Sequence, residues 1–132
     1  MTPAIYDDFC LTVATFASGH SPALPVSYPA VPFTPPDEGI WLEVVAIWNG
    51  NTNYGVAQSG PSVEVGMFRV LVMSRGVGLV APQEMAELVS DAFPKGSVFG
   101  TAMTDTAPEI TGPIQHDDKL MIPVTVRWRA TR

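Results

Sequence analysis

The chain reads as an α+β domain, an antiparallel or mixed β-sheet with two helices packed on one face. Three observations carry this reading. Apolar residues recur at helical spacing in two separate stretches, Ile5–Ala17 and Met85–Phe93. Two long stretches, Ile40–Trp48 and Val63–Ser74, are apolar in the manner of buried strands. The last stretch alternates strictly, with Leu120, Ile122, Val124, Val126 and Trp128 on one side. The order helix, strands, helix, strands places both helices against one sheet.

The first helix opens at Thr2-Pro3, a capping residue followed by a proline where its missing N–H is harmless. Ile5, Phe9, Val13, Phe16 and Ala17 form its stripe, Asp7 and Asp8 are expected to favour the positive end of its dipole, and Gly19 ends it. Ser21–Glu38 carries six prolines and must be extended, with room for a short edge strand around Val26–Val31. Ile40–Trp48 is apolar on both faces apart from Glu43, as expected of a strand covered on both sides. Asn49–Ser62 is rich in Gly, Asn and Ser and long for a hairpin connection, so it is expected to be exposed and to order on assembly. Val63–Ser74 is the second long apolar strand, partner across that loop to Ile40–Trp48. Arg75-Gly76-Val77-Gly78 forms a turn, Pro82 starts the second helix, and Pro94-Lys95-Gly96 stops it. Ser97–Met103 reads as a third strand and Glu109–Asp118 as a looser connection. In the final strand Met121, Pro123, Thr125, Arg127 and Arg129 share the second side, and Pro123 requires an edge or an unpaired position because it cannot donate.

Length and composition bound the function. At 132 residues the chain is one domain, 1–132, able to bury roughly two thirds of its unfolded surface. It is 46% hydrophobic and only 15% charged, so part of its apolar surface is expected to be covered by partners. The formal charge of -6 argues against direct nucleic-acid binding, which requires Lys and Arg to displace counterions. Of seven basic residues, Arg127, Arg129 and Arg132 crowd the end. The single Cys10 reads as a buried free thiol of a reducing compartment. No basic-then-apolar leader and no apolar run of about 20 residues is visible, so synthesis and folding in a cytoplasm are expected.

Reactive constellations are missing. The two histidines, His20 and His116, lie at no metal-ligand spacing, and His116-Asp117-Asp118 reads as a solvated turn. Adjacent carboxylates at Asp7 and Asp8 diverge on a helix. Gly76-Val77-Gly78 lacks the third glycine of a dinucleotide site and the Gly-Lys-Ser/Thr of a phosphate loop. No Gly-x-Ser-x-Gly elbow occurs. Trp41, Trp48 and Trp128 fall inside strands and are expected to pack. We therefore expect no enzyme, no metal and no cofactor.

The features that remain are architectural. Pro32-Phe33-Thr34-Pro35-Pro36, then Trp41-Leu42-Glu43-Val44, Gly66-Met67-Phe68-Arg69-Val70-Leu71-Val72, the turn Gly76-Val77-Gly78, the second helix through Phe93, and Ile122-Pro123-Val124-Thr125-Val126 follow in order. From Ala4 to Arg129 this pattern resembles the tail terminator-like proteins of long-tailed bacteriophages, similar in role to the tail terminator of phage lambda. The resemblance implies a virion protein forming a homo-hexameric ring on the head-proximal end of the tail tube. Its partners would be other copies of itself, the major tail-tube protein and a head–tail connector or adaptor, with genomic DNA passing through the ring without specific binding. An acidic chain suits such a bore. The expected assembly interface comprises Trp48, Asn51, Asn53, Tyr54 and Gln58 around the loop, with Arg127 and Arg129 on the last strand. Those arginines either meet acidic surface on a neighbour or blunt an edge strand. Another head–tail joining or tail completion protein, or an oligomeric small-ligand domain, remains an open alternative. A ligand domain would gather its apolar excess into one pocket, whereas a ring subunit would spread it over opposed faces.

Overall fold

Pro3 begins α1, Pro3–Ser18, and Ile5, Phe9, Val13 and Ala17 are its buried stripe. The structure is a computed structural model that describes residues 2–53 and 62–131. Thr2 holds the capping position without a side-chain cap bond, and its carbonyl accepts the Ile5 N–H at 3.1 Å. Asp7 and Asp8 lie beyond the first turn, so they do not serve the helix dipole as the sequence suggested. Asp8 instead accepts the Gly100 N–H at 2.7 Å, tying the helix to a turn 92 residues away.

The proline-rich stretch contributes β1, Val26–Ser27, shorter than the expected Val26–Val31. It runs parallel to β2, Gly39–Asn53, and so makes the sheet mixed. Pro25 and Pro29 bracket it, because prolines supply no ladder donors; the Pro25 carbonyl still accepts the Leu42 N–H at 3.0 Å. β2 pairs antiparallel with β3, Ser62–Arg75, along its full length, with a register shift between Trp48 and Gly50. Both strands outrun their apolar stretches. Asn51 and Asn53, expected in a loop, are strand residues opposite Glu64 and Ser62. A ladder is held by backbone groups, so polar side chains do not end it while a partner strand lies alongside. β3 has that support on its other side, where β8, Lys119–Thr131, pairs with it as far as Val63–Thr131.

α2, Val80–Asp91, starts two residues before Pro82, which is tolerated because first-turn amides have no intrahelical acceptor. The expected strand Ser97–Met103 is split into β4, Val98–Phe99, and β5, Ala102–Met103. Gly100 breaks it, with φ of 57° and its Cα against α1, where an added Cβ would stand 3.2 Å from the Ile5 nitrogen. The expected loose connection carries β6, Glu109–Ile110, and β7, Ile114–His116, both pairing with β8. Among the described residues the order is β1-β2-β3-β8-β5-β4. The free edge of β8 is thus shared by β7, β6 and β5 in turn. Pro123 sits between the first two. Its carbonyl accepts the Thr111 N–H at 2.9 Å, and because a strand residue's N and O point the same way, its missing donor faces the gap between β6 and β7.

Cross-strand rows Leu42–Val72–Ile122, Val44–Val70–Val124 and Ala46–Phe68–Val126 share the helix-facing side. There Phe9 is fully buried and stacks on Phe68 at 4.0 Å and Phe93 at 5.0 Å, with Phe99 edge-on at 5.6 Å.

Candidate assembly surface

Strand periodicity puts the other residues of β2, β3 and β8 on the helix-free side. Its rows are Trp41–Met73–Met121, Glu43–Leu71–Pro123, Val45–Arg69–Thr125 and Ile47–Met67–Arg127. The sequence suggested strands covered on both sides. Cover on this face is partial: at one end Trp41 is fully buried, and Pro123, Thr125 and Val63 are buried too, while Val45, Ile47, Met67 and Leu71 are half-buried and Arg69 is exposed.

Arg75, to which the sequence reading gave no role beyond a turn, closes the covered end. Its Nη1 donates to the Pro36 carbonyl at 3.1 Å, and its guanidinium lies over the Trp41 ring, 5.7 Å from the centroid. Its Nε is 3.2 Å from Asp118 Oδ2, an ion-pair contact without hydrogen-bond alignment. Trp41 in turn donates its indole N–H to Glu43 at 3.1 Å. One arginine thereby joins the proline-rich strap, the sheet and the turn before β8. No sequence motif announces this, because the three partners are brought together only by the sheet.

Of the residues expected at an interface, Arg127 and Arg129 project from the helix-free face, exposed and two apart. Each meets a carboxylate of its own chain, Arg127 with Glu109 at 3.4 Å and Arg129 with Asp105 at 3.3 Å. Trp48 opposes Gly66 through the backbone ladder, and Asn51 and Asn53 follow it in β2. Tyr54 and Gln58 lie outside the described residues.

Cavities are shallow. A cleft of about 420 Å³ between the Gly76–Leu79 turn and the β7–β8 turn is lined partly by exposed Gly78, Gln115 and Asp118. An apolar groove of about 400 Å³ runs between the helices, lined by Leu11, Phe16 and Ala92. Among the described residues no three His, Cys, Asp or Glu side chains gather as metal ligands. No described helix is long and apolar enough to cross a membrane. The shifted titrations belong to packing. Burial pushes the Tyr6 hydroxyl up to about 12, aided by its hydrogen bond to Cys10, and burial also raises Cys10 and Tyr28. Among the described residues, six of the nine exposed large apolar residues lie on two opposed sides, Val31, Leu79 and Ile110 lying elsewhere. Leu11, Val80 and Leu88 are on the helices, and Val98, Met103 and Ile114 are in register with the helix-free side of β8.

Residues 9–128 match the family described as phage tail terminator protein, and the chain belongs to that family. No curated protein matches it. Solved structures share its fold, among them two that cover nearly the whole chain. One is 23% identical over 96% of this chain and 93% of its own, with a TM-score of 0.79. The other comes from the virion of a native gene transfer agent particle, 19% identical over 98% of this chain and 92% of its own, with a TM-score of 0.61. The family makes the chain's role a structural one in a phage tail.

Proposed function

We propose that six copies of this chain close into a ring on the head-proximal end of a tail tube, stop tube growth and present the surface that joins tail to head. Membership of the tail terminator family over residues 9–128 carries the reading. Exposed apolar residues on the helices and on the helix-free side of the sheet favour it over a ligand-binding domain, because a ring requires one lateral face to fit a different one on the next copy. The major tail-tube protein would lie below the ring and a connector or adaptor above it. The bore would pass DNA without gripping it, in keeping with a net charge of -6. Electron microscopy of assembled tails tests the proposal. Six copies encircling the tube at the head-proximal end are expected; a position at the distal tip, or absence from the particle, overturns it.

A further inference from the structure

The chain's charge is divided between its two layers. α1 and α2 together carry Asp7, Asp8, Glu84, Glu87 and Asp91 and no Lys or Arg. The rest of the chain holds the other eight of thirteen acidic residues against all seven basic ones, so nearly the whole excess of -6 resides on the helices. Four of the five helix carboxylates have no ion pair or hydrogen bond among the described residues, Asp8 being the exception. These charges surround apolar positions: Leu11 and Leu88 are 66% and 48% exposed, beside the groove lined by Phe16 and Ala92.

The helix-free side of the sheet is the counterpart. Arg69 stands exposed at the middle of β3 between Val45 and Thr125, with no ion pair or hydrogen bond among the described residues. Arg127 and Arg129 follow along β8, and half-buried Ile47, Met67 and Leu71 surround them. One side is apolar with largely unpaired acid; the opposite side is apolar with Arg69 unpaired and with Arg127 and Arg129 each shared with one carboxylate of its own chain, Glu109 and Asp105.

We infer that the helix layer of one copy packs on the helix-free sheet face of the next, Glu84, Glu87 and Asp91 facing the arginines around Arg69. The occupant is a second copy of this chain because both complementary surfaces belong to it and lie on opposite sides. That arrangement gives a head-to-tail contact, and a head-to-tail contact that closes gives a ring. Charge complementarity selects the register of the two surfaces and apolar contact excludes water from it. This inference rests on the ring reading above and adds which surfaces meet.

The test is complementation of tail assembly by full-length variants. Arg69→Glu with Arg127→Glu is expected to lower the yield of joined, correct-length tails by at least about tenfold. Glu84→Arg with Glu87→Arg is expected to do the same. Combining all four substitutions restores complementary faces, and yield is expected to return to within a few-fold of the unaltered chain. Thermal unfolding of each purified variant separates loss of contact from loss of fold, and where a double variant unfolds, the single exchanges Arg69→Glu and Glu84→Arg at exposed positions, alone and combined, keep the test decisive. Failure of the fourfold variant to restore yield, or intact assembly with the sheet face reversed, overturns the inference. A change in DNA retention with ring copy number unaltered also overturns it, since that places the arginines in the bore. Tails of the unaltered chain that carry no ring refute the proposed function itself, a separate result.

Discussion

The Trp128 indole lies across the backbone of Gly66, so closely that a Cβ at that position would stand 2.4 Å from Trp128 Cζ2. The two are direct partners in the β3–β8 ladder, and Trp128 is 2% exposed. Glycine is required there for space and not for backbone conformation. Gly66→Ala is expected to destabilise the fold by about 1–3 kcal/mol, as overpacking of a core does. A double-mutant cycle with Trp128→Leu checks the cause. In urea unfolding, alanine at position 66 is expected to cost much less once the large ring is gone.

Phe9 occupies the centre of an aromatic cluster that spans α1, the sheet and the segment after α2. Phe9→Ala removes stacking on Phe68 and Phe93 together and leaves a cavity. A loss of about 3–5 kcal/mol is expected, with little chance of collapse around a site walled by three other rings. Far-ultraviolet circular dichroism against urea measures it, and a loss under 1 kcal/mol contradicts the packing.

Asp8 and Gly100 form a second long-range tie. Asp8→Ala removes the acceptor from an exposed amide, which water replaces, so a modest cost of roughly 1 kcal/mol is expected. The sharper readout is hydrogen exchange. The Gly100 amide is expected to exchange faster in the variant, while amides of the central β3 strand keep their protection.

Tyr6 makes stability depend on alkaline pH. Its folded pKa of about 12 lies above the ordinary value of 10.0, and Cys10 and Tyr28 are also raised. The unfolded chain therefore ionises first, so the contribution is fully present below the unfolded values and is lost as pH rises through the folded ones. Stability is expected to fall from about pH 9 to 12, and Tyr6→Phe is expected to flatten that slope above pH 10. An unchanged slope in a pH series of melting temperatures contradicts the assignment.

The pairs Arg127–Glu109 and Arg129–Asp105 are solvent-exposed and worth little to the isolated fold. Arg127→Glu with Arg129→Glu is expected to change monomer stability by under about 1 kcal/mol while weakening assembly, most strongly at low salt where screening is least. Assembly at two salt concentrations decides between an interface role and edge protection; no change at either favours edge protection.

Periodicity alone determined the helix stripes and the two sides of the last strand, because burial repeats every 3.6 or 2 residues whatever the partner. Ile5, Phe9, Val13 and Ala17 are legible for that reason, as are Ile122 through Trp128. Six prolines similarly prescribed an extended strap, and the order of turn and strand patterns was enough to indicate the family. Tertiary structure decided what depends on a distant partner. β2 continues to Asn53 because β3 lies beside it, and Ser97–Met103 breaks in two because Gly100 abuts α1. Arg75 became a junction because the sheet brings Pro36, Trp41 and Asp118 to one place. The separation of charge belongs to both levels. Acidic helices can be counted along the chain, but only the pairing of β2, β3 and β8 turns Arg69, Arg127 and Arg129 toward one common side, opposite to them. Local pattern specifies which side of an element is buried; contacts distant in sequence specify what it is buried against.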